Sequence, residues 1–245
     1  MTRGGSTHRA TGRWLVLSAS LFVAAACSGA TDTNDGSSTP TGAASASTPA
    51  SSADPDVTMI DGQVVGVGDY PAYTLEVPVT WSVDGAFVTK PIGVIGVSVW
   101  DVGEVPQDPC HWQSTMSDPG PTVDDLVDAL AIQRFRHATE PTEVAVDGYR
   151  GRSLRWSVPD DWVVTGDAEF EGCDVEPSNG LRTFVSWLGN GEGQRFQHVA
   201  GQVDVLWVID VDGQRLVVDA TYSPDTTDAD RNELMSIAGS LRFAA

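Results

Sequence analysis

Apolar and polar residues alternate most regularly between Val203 and Tyr222, in the run VDVLWVIDVDGQRLVVDATY. Asp212-Gly213 interrupts the run near its middle. Such a pair between β-branched stretches predicts a two-residue type I′ hairpin turn, whose central residues both need positive φ. With the turn placed there, Val203 faces Tyr222, Val205 faces Ala220, Trp207 faces Val218 and Ile209 faces Leu216. Asp204 then faces Thr221, Leu206 faces Asp219, Val208 faces Val217 and Asp210 faces Arg215. Side chains alternate along a strand, so one side of this ribbon is wholly apolar. The other side is mixed, with an opposite-charge pair beside the turn. A slip of one residue would mix the two sets, which fixes the register. The acids around the turn do not form a calcium loop. With Gly213 at loop position six, position one falls on Val208, which offers no side-chain oxygen.

The rest of the folded region is read against this hairpin. Tyr73 to Val77 alternates and predicts a strand stopped by Pro78, and Val83 to Val88 predicts a second short one. Ile92 to Trp100 is apolar on both parities, as in a strand covered on both faces. Gly93 and Gly96 inside it mark a bulge or a close neighbour. Asp101 to Pro121 reads as irregular, because four prolines forbid a long helix. Thr122 is placed to cap a helix over about Val123 to Arg136, with a stripe of Val123, Leu126, Val127, Leu130 and Ala131. Arg134, Arg136 and His137 then fall at its C-terminal end, where cations complement the helix dipole. A second hairpin is expected over Thr142 to Val158 around Asp147-Gly148, with a bulge near its turn and Leu154, Trp156 and Val158 pointing inward. Asp160 to Gly180 reads as a loop and Arg182 to Leu188 as a strand. Gly189 to Gly193 reads as a turn, since no phosphate-binding or dinucleotide spacing accompanies its glycines. Thr227 opens a last helix, carrying Leu234, Ile237, Ala238 and Leu241 on one face and ended by Gly239. Leu241-Arg242-Phe243 follows as a terminal strand. The elements together predict an α+β domain: a twisted antiparallel sheet with two main helices packed on it.

The N-terminal residues do not share this patterning. Arg3, Arg9 and Arg13 precede an uncharged, mostly apolar run from Trp14 to Ala26. It is too short to span a bilayer, which takes about 20 residues, and it has the length of a signal-peptide core. The run ends Ala24-Ala25-Ala26-Cys27, which resembles the lipobox of bacterial lipoproteins, with Ala24 where Leu or Val is usual. The resemblance implies that Cys27 is lipidated and becomes the mature N-terminus. The alternative is an ordinary export signal cut after an A-x-A site. Residues 28–56 are nearly all Ser, Thr, Ala, Gly, Asp and Pro, too poor in apolar surface to fold. They read as a tether spanning roughly 30 Å. The assignment is therefore 1–27 signal peptide with lipobox, 28–56 linker, and 57–245 a single extracytoplasmic domain.

Charge and cysteine usage narrow the function. The chain carries 14 basic and 34 acidic residues, a net charge of −20. Without Arg3, Arg9 and Arg13 the basic residues fall to 11 and the net charge to −23. Such acidity argues against nucleic acid and against electrostatic attachment to anionic lipid. Cys110 and Cys173 remain once Cys27 is set aside, and an even pair in an exported chain predicts a disulfide. A metal site built on Cys110, His111 and Cys173 is the weaker alternative, because no ligand spacing supports it. No metal and no cofactor is expected.

The pattern Pro78-x-x-Trp81, Asp108-Pro109-Cys110-His111-Trp112, Thr122-Val123-Asp124-Asp125-Leu126, Cys173 and Leu206-Trp207 through Asp219-Ala220 resembles a family of uncharacterised secreted proteins and lipoproteins of high-GC Gram-positive bacteria. That resemblance implies no catalytic residues. The order of strand, Pro-x-x-Trp, helix, two hairpins, helix and terminal Leu-Arg-Phe is also similar to the Mog1/PsbP-like α+β fold, whose members mostly bind partners or assist assemblies.

No nucleophile elbow, HExxH, P-loop or dinucleotide fingerprint occurs. His111, between Cys110 and Trp112, is the best candidate binding position, followed by Trp112 and Trp162, which fall in expected loops. The leading expectation is a membrane-anchored lipoprotein that binds a cell-envelope protein or small molecule without catalysis. The alternative is an envelope hydrolase using His111 and clustered acids such as Asp160-Asp161 and Glu169, Glu171 and Asp174. Growth with labelled palmitate is expected to label the chain, and Cys27→Ala to abolish the label. An unlabelled wild-type chain would rule out the anchor.

Overall fold

The computed structural model describes residues 71–244 except Asp167 and Glu192. The expected signal peptide with lipobox over 1–27, Cys27 included, and the expected tether over 28–56 lie outside the described residues, as does the start of the expected domain at 57–70. The chain opens with β1 (Tyr73–Thr74), β2 (Ser82–Asp84), β3 (Phe87–Thr89), β4 (Ile95–Trp100) and β5 (Val102–Pro106). A 3₁₀ turn at Trp112–Ser114 leads to β6 (Met116–Ser117) and helix α1 (Val123–Ala131). Then come β7 (Thr142–Val146), β8 (Tyr149–Ser157), β9 (Val164–Thr165), β10 (Glu169–Phe170), β11 (Val185–Gly189) and β12 (Gln194–Phe196). The long hairpin β13 (Val203–Val211) and β14 (Gln214–Tyr222) precedes α2 (Asp228–Gly239) and β15 (Arg242–Phe243).

The hairpin is the centre of a seven-stranded antiparallel sheet ordered β2-β3-β4-β14-β13-β8-β7. Its register matches the alternation at every pair, from Val203 opposite Tyr222 to Val211 opposite Gln214. Asp212 and Gly213 both take positive φ, as the turn requires. The apolar side of the ribbon packs under α2. Leu234, Ile237 and Ala238 close over Ile209, Leu216, Val218 and Ala220, all buried. Each such aliphatic side chain contributes about 1.5–3 kcal/mol on burial. The opposite side faces α1 and a second sheet, ordered β12-β11-β5-β6. Trp100, Leu154, Trp156, Trp187, Leu206, Val208 and Val217 form that second core with Leu126, Val127 and Leu130 of α1. Both helices begin on threonine caps. Thr122 and Asp125 form a reciprocal capping box, and the Thr227 hydroxyl accepts from the Asp230 N–H.

The α+β class holds, with two principal sheets where the patterning predicts one. The stretch read as irregular after Asp101 contains β5 and β6, and β11 pairs with β5 across the fold. A five-residue strand holding Gly103 and ending on Pro106 is too short and too punctuated to announce itself by period. The run at Val83 to Val88 is two strands folded about Gly85-Ala86, with Gly85 at positive φ. Only Tyr73–Thr74 of the first expected strand is paired in a ladder, against β15. The second hairpin pairs continuously from Thr142/Ser153 to Val146/Tyr149, without the expected bulge. Helix α1 stops at Ala131, short of Arg136. Tertiary bonds win there: the Gln133 side-chain amide donates to the carbonyls of Pro106 and Ser186, and Arg134 N–H donates to Gln107. Phe135 takes positive φ, which ends any helical continuation. Arg134, Arg136 and His137 are therefore not partners of the helix dipole.

Two further details depart from the expectation. Gly239 is the last helical residue of α2, and the turn is closed by Ser240, whose hydroxyl donates to Ile237. Arg215 faces Asp210 in register but its guanidinium bonds the carbonyls of Gly120, Thr122 and Val102, tying β14 to the start of α1. Asp210 instead accepts the Gly213 N–H and shapes the turn.

β8 lies unusually close to β13 at Gly151. A Cβ added there would stand 2.1 Å from the Val208 carbonyl oxygen and 2.8 Å from Ile209 Cγ2. Backbone on a central strand cannot yield cheaply, so Gly151→Ala is expected to destabilise the domain by about 1–3 kcal/mol. Urea unfolding monitored by tryptophan fluorescence measures this, and an unchanged midpoint would contradict it.

Candidate functional site

The mixed side of the hairpin turns Asp204 and Asp219 into the interior, and neither has any exposed surface. An unpaired carboxylate there would be prohibitive. Partners arrive from the second sheet and from the turn after α1. Arg195 on β12 places Nε 2.6 Å from Asp219 Oδ2 and Nη2 2.8 Å from Asp204 Oδ1, while Nη1 donates to the Phe196 carbonyl at 2.5 Å. Arg136 donates from Nη2 to Ser186 Oγ at 2.6 Å and sets Nη1 3.8 Å from Asp204 Oδ2. Its guanidinium lies over the rings of Trp156 and Phe184, at 4.3 and 4.8 Å.

Asp204 Oδ2 also accepts from Trp156 Nε1 at 2.8 Å. Gln202 donates to Thr221 Oγ1 at 2.8 Å and to Asp204 Oδ1 at 3.3 Å. Two arginines and two aspartates thus close a formally neutral cluster. Asp219 Oδ1 and both Nε and Nη1 of Arg136 have no hydrogen-bond partner. Burial pushes the Asp219 carboxyl up to about 7, against the pull of Arg195 and with the help of Asp204. Burial also brings Arg136 down to about 9.

This cluster backs onto a groove of about 450 Å³ on the same face of the large sheet. Gly96, Ser98 and Trp100 of β4 and Thr221 of β14 contribute to it, with Phe87 and Thr89 of β3. Gln194, Arg195 and Phe196 of β12, followed by His198, line it from the second sheet. Phe87 meets Trp100 edge-on at 5.4 Å, and Phe196 meets His198 at 4.9 Å. Gly96 keeps β3 close: a Cβ there would stand 2.8 Å from the Val88 carbonyl oxygen. Val94, Phe196 and His198 are shared with a second cavity of about 440 Å³ that reaches Ala168 and Leu181. Lys90, also on the groove, holds Asp230 and Glu233 of α2 at 2.5 and 2.8 Å. The lining mixes a large apolar share with a few convergent polar groups, which is the make-up of a small-molecule site.

The residues singled out from the sequence assemble elsewhere. Cys110 and Cys173 are joined as a disulfide and sit with Val158, Phe170 and Phe184 in a third apolar cluster. Trp162 packs against Phe135, Phe170 and Phe184 at 5.5, 5.9 and 5.1 Å. Trp112 is buried in the 3₁₀ turn. Both tryptophans lie in connecting segments as expected, but their rings are packed inward. His111 stands outside this cluster, its side chain 56% exposed, with Nδ1 3.5 Å from Asp174 Oδ1. Asp108 braces the loop beneath it: Oδ1 accepts the N–H groups of Cys110 and His111, and Oδ2 meets Arg134 at 3.1 Å. Of the clustered acids, Asp161 and Glu171 flank a shallow dish with Trp162 and Val163. None of these residues lines the groove. Arg195, Ser98, Thr221 and His198 were not legible as site residues. The available signal was Asp204 and Asp219 in the strongest strand pair, since two acids turned inward demand buried cations.

No family model and no curated protein matches the chain. The resemblance to secreted proteins of high-GC Gram-positive bacteria therefore rests on the residue pattern alone. Among solved structures, the chain is similar to the solution structure of cyanobacterial PsbP (CyanoP) from Synechocystis sp. PCC 6803. Identity is 15% over 73% of this chain and 90% of that one, with a TM-score of 0.36. That score carries neither topology nor function across, and the α+β class stands on the strands and helices described above.

The Asp219 proton links the cluster to pH. In the unfolded chain the carboxyl ionises near 3.8, and in the folded domain it holds its proton to about 7. The folded state binds more protons in that window, so the contribution of Asp219 to stability falls as pH rises through it. Asp219→Asn carries no such proton. Thermal unfolding at about pH 4.5 and about pH 7.5 is expected to show the wild type losing ground to the variant at the higher pH. A constant gap, or one moving in favour of the wild type, would contradict the assignment.

Proposed function

We propose that this domain is a non-catalytic binding module of an exported lipoprotein, and that the groove beside β12 receives its ligand. The observation that carries the reading is the groove itself: an apolar recess braced at one end by a buried ion cluster. The Arg195 side chain is held by protein partners at all three nitrogens before any ligand arrives, and such preorganisation lowers the cost of binding. The Cys110–Cys173 disulfide supports residence in an oxidising compartment. No helix among the described residues is long and apolar enough to cross a membrane. The reading places attachment at Cys27, on the lipobox resemblance of Ala24-Ala25-Ala26-Cys27, with residues 28–56 as the tether. The hydrolase alternative rests on His111 and Asp174, whose 3.5 Å contact stands on open surface and not in the groove.

Thr89 is an exposed groove position on β3, so Thr89→Trp fills the recess without touching the core. The full-length chain incubated with a solvent extract of cell envelopes is expected to retain a compound identifiable by mass spectrometry. Thr89→Trp is expected to retain at least about tenfold less, with an unchanged melting temperature. Equal retention by the variant would remove the groove as the site, and turnover of the retained compound would end the non-catalytic reading.

A further inference from the structure

We infer that the ligand of this groove is an amphipathic acid, a single carboxylate on an apolar body, held with its head toward Arg195 and His198. The inference rests on the groove being the binding site and adds the chemistry of what enters it. The chain has 34 acidic residues against 14 basic ones. A recess lined at random would therefore be acid-rich. This one reverses the balance: its ionisable lining residues are Lys90, Arg195 and His198, with no carboxylate among the described residues that line it. Desolvation of its ring and the neighbouring Arg195 lower the His198 imidazole to about 4, so it meets a head group as a neutral ring. Lys90 is the sole lysine of the chain, and its charge is matched by Asp230 and Glu233 at the α2 side. Arg195 is paired likewise, with Asp219 and Asp204, and its claim to a head group rests on the donors those pairs leave unused.

Arg195 is only 7% exposed, and its side chain is fixed by Asp219, Asp204 and the Phe196 carbonyl. A guanidinium has five N–H donors in a planar fork. The three bonds take one donor from each nitrogen and leave one on each terminal nitrogen, and a carboxylate has two oxygens to accept them. Burial holds Asp219 protonated to about 7. A proton held there lessens the negative charge behind Arg195. The apolar part of the ligand has Phe87, Trp100 and Phe196 to lie against. The volume of about 450 Å³ falls within the range of roughly 300–1,000 Å³ that small-molecule sites occupy.

Three probes with one body separate the contributions: decanoate, decanol and decylamine. They are titrated calorimetrically into the full-length chain carrying Cys27→Ser, which takes no acyl group and needs no competing detergent. Decanoate is expected to bind at least about tenfold tighter than decanol, and decylamine more weakly than decanol. His198 is exposed, so His198→Glu keeps the fold and is expected to erase the preference for decanoate over decanol. Decanol or decylamine binding as tightly as decanoate overturns the inference, as does a preference that survives His198→Glu. Decanoate binding that Thr89→Trp leaves intact also overturns it, since the acid then sits elsewhere. A neutral or cationic envelope compound displaced by Thr89→Trp would uphold the groove as the site while removing this head-group assignment.

Discussion

Arg195 is the tie between the two sheets. It stands on the edge strand of the smaller sheet and grips two aspartates on the two central strands of the larger one. Removing one partner from a buried ion pair costs about 3–5 kcal/mol, because the remaining charge is left in a medium that cannot solvate it. The packing of β11 and β12 over β13 and β14 is accordingly specified by charge as well as by shape. Arg136 extends the same constraint to the segment after α1, where it stacks on Trp156 and Phe184 and bonds Ser186. The position of the groove follows from this. It opens beside the strand that carries the tie, so its polar end is among the most tightly fixed parts of the molecule.

Features that depend on neighbours in sequence were legible from the chain. The Asp212-Gly213 turn, the complete register of β13 and β14, the Thr122 and Thr227 caps and the inward Leu154 and Trp156 all follow from local chemistry. Features that depend on partners distant in the chain were not. The alternation of the hairpin marks Asp204 and Asp219 as facing one way, but it does not say that the cations lie at positions 136 and 195. Likewise β5 and β6 exist because β11 reaches across to pair with β5, not because their own residues insist on a strand. Arg136 shows the limit most plainly. Its place after an amphipathic stripe fits a helix C-terminus, yet a buried aspartate and two aromatic rings draw it into the core.

The same argument explains why the residues that stand out in the sequence are not those of the groove. Trp112, Trp162 and the two cysteines are conspicuous because they are rare types in a loop-like setting. Their rarity reflects the work of holding a segment with little regular structure: the disulfide and four aromatic rings give it a core of its own. The groove is assembled from ordinary strand residues such as Ser98 and Thr221, whose importance comes from what the sheet brings opposite them.

The pairing of β1 with β15 brings the first and last described strands side by side, and the Ala244 N–H closes the pair onto the Ala72 carbonyl. The register is only two residue pairs long, Tyr73 with Phe243 and Thr74 with Arg242. Mechanical tension transmitted along the chain from ahead of Pro71 meets this short ribbon before it meets the seven-stranded sheet. Tyr73, with Leu75 and Val77 after it, is buried in the core that holds the apolar side of the hairpin, so load on the ribbon is carried straight into that core.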